Sequence, residues 1–341
     1  MTEHAHRLHP SDSWPALDGM MEPRSAAHQD KRRFRVVEIH PALWLGPAAP
    51  GARKVECLPG SLIERLIVDA AAQSYDAVGI AGGERPLGAG LRAALALAKR
   101  LGLATTLLTT LAPLTRRRLD RLAGVLDAVA VTLYGAPPTH DRVHGKTGAF
   151  RTMAARLAAL RAATIPFGFV FTVTDSNLDE LAWVKRFALD EGARWLHIRL
   201  LEPGRPVMDF GERCSIRSSL ACRGPIHTRP SRLENAAHAD HPHARLADLI
   251  APLVVEADGT AVPLQHGFPR RYALGNLRCA RLPVLAARWR SGGGYAGFRE
   301  YCEEVLRAAP SQPAFDWLAA VSSWPAPPTA PSVDPTRTRT L

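Results

Sequence analysis

Cysteine is scarce in this chain. Five occur among 341 residues, Cys57, Cys214, Cys222, Cys279 and Cys302. The number is odd, and no two stand in a CxxC pair. A disulfide framework is therefore not what organises the fold. The thiols are either small buried hydrophobes or ligands of some metal site. Long apolar runs are also lacking, and the first residues have no apolar signal segment. Both absences argue against a membrane span, and the expected location is the cytoplasm. Acidic residues are in deficit, 32 against 43 basic, for a net charge of +11. Such a balance attracts nucleic acid, anionic membrane or acidic peptide. Yet Arg116, Arg117, Arg118, Arg121, Arg156 and Arg161 lie on presumptive helix faces, with no nucleic-acid module beside them. Solvated helix faces are the better reading, and nucleic acid is set aside.

What the chain does have is alternation. Short apolar runs, which read as strands, cover Phe34 to Ile39, Ala77 to Ala81, Leu103 to Thr109, Ala128 to Leu133, Phe167 to Val173 and Trp195 to Leu200. Between them apolar residues recur at helical spacing: Leu62, Ile63, Leu66, Ile67 and Ala70 behind a Ser61 N-cap, then Leu91, Leu95 and Ala98 closed by Gly102. Leu119 and Leu122 mark the next helix. Phe150, Met153, Leu157 and Leu160 mark another, and Leu178, Leu181, Val184 and Phe187 a fifth. Strands that are apolar on both faces and separated by helices demand right-handed crossovers and a parallel sheet. The pattern leaves an open doubly wound sheet and a barrel as alternatives, and both place ligands at the C-terminal ends of the strands. The residues to inspect are His40, Gly82 to Glu84, Thr109, Thr110, Thr132 to Gly135, Thr174, Asp175 and Glu202.

Residues 1–30 read as a disordered leader, although His4, His6 and His9 could form a metal-binding tail. Residues 42–60 read as a loop. Residues 204–250 lose the alternation and read as an irregular linker. Cys214, Cys222, His227, His238, His241 and His243 within it could draw a metal site, but their spacing matches no finger or ribbon. From Pro252 to Leu264, Asp258-Gly259 between two apolar runs predicts a hairpin. Helices are expected around Leu282 to Trp289 and Tyr295 to Leu306. Residues 310–341 read as a mostly disordered tail.

The chain resembles the radical SAM superfamily in its form with a SPASM or twitch-like C-terminal extension. Gly82-Gly83-Glu84 is similar to the family's GGEP motif, which holds the amino group of S-adenosylmethionine. Thr132-Leu133-Tyr134-Gly135 with His140-Asp141-Arg142-Val143-His144-Gly145 is similar to its "SLDG…HDxxRG" run. Residues Ile165 to Thr174 with Asn177-Leu178 resemble its fifth strand–helix unit. Leu253 to Pro263 with Leu274-Gly275-Asn276 resemble the hairpin and "lGN" turn of the extension. The resemblance implies a partial (β/α)6 TIM-like barrel over residues 31–203 and a small α+β extension over residues 251–309. It also implies S-adenosylmethionine contacts from Gly82, Gly83, Glu84, Thr109, Thr132 and His144.

The departures carry equal weight. The family's CxxxCxxC loop holds a four-iron four-sulfur cluster through three thiolates. Here the matching loop, His40-Pro41-Ala42-Leu43-Trp44-Leu45-Gly46-Pro47, has no cysteine, and Cys57 stands alone before the glycine loop. Arg85 is inserted ahead of Pro86. Thr109-Thr110-Leu111 replaces the usual "TNG", so that Leu111 is expected to crowd the site. His144 stands where an arginine is usual. Pro263-Leu264-Gln265 stands where many relatives have a ligand for an auxiliary cluster. The implied reading is a barrel without its cluster, no catalytic residue assigned, and weak affinity for S-adenosylmethionine. It would bind a peptide or protein, such as an active radical SAM paralogue, through Trp44, Tyr134, His140 and Arg142. The alternative is an active SPASM-type enzyme with an atypical iron–sulfur site that modifies a peptide or small molecule. A third reading makes a new metalloenzyme from the segment between Cys214 and His243.

Overall fold

A computed structural model describes residues 35–41, 57–82, 88–173, 177–200, 222–223, 245–250, 252–264 and 266–308. The strands are β1 (Val36–Ile39), β2 (Ala77–Ala81), β3 (Ala104–Thr109), β4 (Ala128–Leu133), β5 (Phe167–Val173), β6 (Leu196–Leu200), β7 (Cys222–Arg223), β8 (Leu253–Val255), β9 (Thr260–Pro263) and β10 (Gly275–Asn276). The helices are α1 (Gly60–Ala72), α2 (Gly88–Arg100), α3 (Arg116–Leu122), α4 (Pro137–His144), α5 (Ala149–Ala162), α6 (Leu181–Asp190), α7 (Leu246–Leu249), α8 (Leu282–Ser291) and α9 (Gly294–Ala308).

All ten strands form one sheet, in the order β10-β9-β8-β1-β2-β3-β4-β5-β6-β7. From β8 through β7 every neighbouring pair is parallel. The fold is the mixed α/β, partial-barrel type that the motifs imply. Alternation within the strands shows how it is filled, since successive side chains point to opposite faces. Val37 and Ile39, Val78 and Ile80, Val129 and Val131, and Phe169 and Phe171 lie in the main core with Leu62, Ile63, Leu66 and Leu157 of the helices. The other face is lined by small residues. Val36 and Ala77, with Ala104 against them, form a separate minor cluster.

Tryptophan fills the concave side at one point. A Cβ built on Gly168 of β5 would meet the Trp195 ring at 2.2 Å, and Trp195 is buried. The indole thus occupies the space that a side chain at residue 168 would need. Gly168→Ala is therefore expected to destabilise by about 1–3 kcal/mol through overpacking. Chemical denaturation checks it, and combining Gly168→Ala with Trp195→Leu should recover part of the loss.

Four expectations are corrected. The barrel's parallel array does not stop at six strands, because β7 pairs with β6 and β8 pairs with β1. The Asp258-Gly259 hairpin forms as expected, but it extends the barrel sheet, since three or more paired strands protect an edge that a lone hairpin leaves open. Ser61 is not the N-cap of α1. Leu62 and Ile63 N–H donate to the Pro59 carbonyl, so Pro59 is the N-cap and the helix starts two residues earlier. Residues 204–250 are not wholly irregular, as β7 and α7 lie within them. The extension is also fastened through α8. Buried Asp69 of α1 accepts from the Arg281 guanidinium and, at 3.2 Å, from Leu282 N–H. Arg65 Nη2 donates to the Leu277 carbonyl at 3.0 Å.

Candidate binding site at the barrel mouth

The segment after β4 is held by two side chains that follow β5. Asn177, itself buried, donates from Nδ2 to the Tyr134 carbonyl at 2.9 Å. Glu180 accepts from Ala136 N–H at 2.6 Å and from Thr139 Oγ1 at 2.5 Å. Glu180 comes so close that a Cβ on Gly135 would lie 2.0 Å from its Oε2, and Gly135 has φ +139°. Only glycine satisfies both demands there. The loop carrying Tyr134 is thus fixed before any ligand arrives, which lowers the ordering cost of binding. Tyr134 is half-buried, and burial raises its phenol pKa.

The His140–Gly145 run serves this loop. His140 is only 1% exposed, and its Nδ1 receives Tyr134 N–H at 3.4 Å. Its ring lies 5.9 Å from His144, stacked, and 5.7 Å from Phe150, edge-on. Burial, then the neighbouring His144, lowers its pKa to about 4 against a smaller opposing pull from Asp141. Its reading as a partner contact is corrected: a ring this buried supports the Tyr134 loop from beneath. Asp141 accepts from Gly148 N–H at 2.5 Å and Phe150 N–H at 2.7 Å, closing the start of α5. The Phe150 and Gly148 amides hold its carboxyl below the usual range. Arg142 is exposed and reaches Thr139 Oγ1 at 3.5 Å. His144 faces the His140 ring, and its Nδ1 is buried without a hydrogen-bond partner.

Of the other expected positions, Thr132 is half-buried on β4. Thr109 is buried, and its Oγ1 accepts Leu111 N–H at 2.9 Å, which closes the turn after β3. Leu111 does not crowd the mouth. It adopts φ +63°, and its side chain is swallowed by the core. Apolar burial at that site offsets a left-handed conformation worth roughly 1–2 kcal/mol. Gly82 is exposed at φ +65° and its N–H donates to the Leu108 carbonyl. Trp44, Gly83, Glu84 and Glu202 lie outside the described residues, as do Cys214, His227, His238, His241 and His243; Cys222 is in β7.

Periodicity alone did not single out a polar cluster at the end of β1. Glu38 is buried, with Oε1 2.6 Å from His40 Nε2. The His40 ring stands 4.7 Å from that of His266. Glu256, also buried, accepts Gly267 N–H at 2.6 Å and pairs with Arg270 at 2.5 Å. Arg270 reaches Asp258 as well, at 3.0 Å. A carboxylate in the middle of Val36-Val37-Glu38-Ile39 was the available signal, since an acid buried in a strand needs a partner.

Between β1 and α1 the only thiol is Cys57, which is exposed. Cys279 is exposed too, whereas Cys302 is buried and its thiol pushed up by desolvation. Among the described residues no three His, Cys, Asp or Glu side chains are grouped to hold a metal ion. Nor is any described helix long and apolar enough to cross a membrane.

No family model matches the chain. A PqqA peptide cyclase of Ruegeria pomeroyi is 26% identical over 264 residues, covering 72% of this chain and 69% of that protein. Among solved structures, anSMEcpe with bound AdoMet and the Kp18Cys peptide has a TM-score of 0.51 at 14% identity, over 73% of this chain and 79% of that one. Streptococcus suis SuiB bound to the precursor peptide SuiA has a TM-score of 0.55 at 11% identity, over 82% and 74%. SuiB bound to S-adenosylmethionine gives 0.55 at 12%, over 82% and 73%. These structures share the fold of this chain.

Proposed function

We propose that this chain, of the radical SAM superfamily in its SPASM-type form, binds a peptide or protein at its barrel mouth without carrying a four-iron cluster. One observation carries the reading: the loop after β1 offers a lone Cys57 where three thiolates are needed. The barrel and the rigid Tyr134 loop remain, so the mouth can still recognise a ligand. Peptide binding is the natural choice because the similar cyclase and SuiB have peptides in their names or bound states. Tyr134 and Trp44 are the aromatic anchors, with Arg142 on the exposed rim. The +11 charge speeds encounter with an acidic partner more than it tightens the final complex. An active radical SAM paralogue is one such partner. S-adenosylmethionine binds weakly through Gly82, Gly83, Glu84 and Thr132, since no iron anchors its methionyl group.

Two measurements test the reading. Anaerobic reconstitution should leave well under one iron per chain. About four irons, lost in Cys57→Ala, would establish an atypical cluster and the active-enzyme alternative. In pull-downs from the native host, Trp44→Ala and Tyr134→Ala should each cost about 2 kcal/mol or more of binding to the captured partner. Full retention by both variants removes the mouth as the interface.

A further inference from the structure

We propose that His40 and His266 form a two-imidazole site for a divalent transition-metal ion, with Glu38 as the carboxylate that orients His40. The inference rests on the cluster at the end of β1 and not on the peptide-binding reading. A metal–nitrogen bond is about 2.0–2.1 Å, so two imidazoles on one ion at near-right to tetrahedral angles have ring centres about 4.5–5.2 Å apart. The observed separation is 4.7 Å, with the rings inclined by 43°. Ordinary ring stacking also allows this spacing, and the surrounding groups separate the two cases.

Glu38 ties up His40 Nε2 at 2.6 Å and leaves Nδ1 as the ligand atom. A metal-binding histidine usually gives its second nitrogen to a carboxylate in this way, which fixes its tautomer and raises its basicity. No described residue hydrogen-bonds His40 Nδ1 or the His266 ring. Two carboxylates, Glu38 and Glu256, stand beside the two imidazoles against one guanidinium, Arg270. The local charge therefore favours a dication. With two protein ligands, the remaining positions fall to water or to a donor group of a bound ligand. Imidazole donors select nickel, copper, zinc or cobalt over magnesium and calcium.

The test uses the full chain with His4, His6, His9, His227, His238, His241 and His243 replaced by alanine, so that neither the leader nor the segment before β8 can compete. Titration with nickel or cobalt, followed by calorimetry, should give one site with a dissociation constant on the order of 1–100 µM, about half the free energy of a four-ligand site. His266→Ala, at an exposed turn, should weaken binding at least tenfold. Glu38→Gln, which keeps both imidazoles, should weaken it about 10–100-fold. Bound cobalt should show a visible d–d spectrum without a thiolate charge-transfer band. No binding up to about 1 mM, unchanged affinity in His266→Ala, or a thiolate band would each overturn the proposal. Circular dichroism confirms that the variants fold.

Discussion

Phe169→Ala is expected to destabilise the protein by about 3–5 kcal/mol, the largest single-residue cost foreseen here. The ring is fully buried on the helix-facing side of β5. It meets Phe167 edge-on at 5.9 Å and Phe187 of α6 at 5.5 Å. Phe187 stacks on Trp183 at 5.1 Å and touches Phe150 at 5.2 Å. Phe150 in turn lies against His140, which lies 5.6 Å from Tyr134. A continuous run of rings therefore leads from the core beneath β5 to the loop at the mouth. Truncating Phe169 opens a cavity at the root of that run, and the rings above can relax into it only by shifting the loop. Urea denaturation gives the stability change, and Phe169→Leu should recover more than half of it. The same variants read the coupling: if Phe169→Ala loosens the Tyr134 loop, amide exchange at Tyr134 and Ala136 rises along with the loss of stability. Unchanged exchange there, at the full cost in stability, would show that the ring run packs α6 without reaching the mouth.

How far the sequence foretells this architecture depends on how local each determinant is. β2, β4 and β5 coincide with the apolar runs Ala77 to Ala81, Ala128 to Leu133 and Phe167 to Val173, because turn residues bound each run closely. The helix faces follow for the same reason, since Leu62, Leu66 and Ala70 need only each other's spacing. Pairings between distant segments leave no such mark. Nothing near Leu253 announces that β8 will lie parallel to β1, because that choice is made by sheet closure across most of the chain. The Tyr134 loop is a similar case. Its motif residues are legible, but the groups that hold it, Asn177 and Glu180, come from 43 and 44 positions away. Motif matching cannot foresee what burial adds: His140, expected at a partner surface, supports the Tyr134 loop, and Thr109, expected beside S-adenosylmethionine, closes a turn. Glu38 and Glu256 went unmarked because an acid's burial depends on who neutralises it. The neutralising groups, His40 and Arg270, are visible only in three dimensions.

Stability should fall steeply as the solution is acidified from about pH 6.5 toward pH 4, and His140 should account for about one proton of the slope. Its folded pKa is about 4 against an ordinary value of 6.5. A group whose pKa drops on folding binds protons more readily when unfolded. Its contribution is therefore whole above pH 6.5, drains away through that interval, and is gone below about pH 4. The full difference is roughly 3 kcal/mol, a large share of a typical domain's stability. Burial is the main cause, because the imidazolium would sit among Tyr134, Phe150 and the stacked His144 ring with little water. His144 adds repulsion, and the nearby Asp141 carboxylate offsets part of it. His140→Asn keeps an acceptor for Tyr134 N–H while removing the titrating ring. That variant should start lower at pH 7.5 yet lose about one proton's worth less stability on the way to pH 4.5. His144→Gln should raise the folded pKa of His140 by lifting the repulsion, so that the interval narrows from its acid end and less stability is lost across it. His266 is lowered as well, so some slope persists in both variants. The deciding measurement is denaturant stability at half-unit pH steps. Parallel curves for the parent and His140→Asn would mean that the buried ring stays accessible to protons in the folded state, and the loop would then be far less rigid than its hydrogen bonds imply.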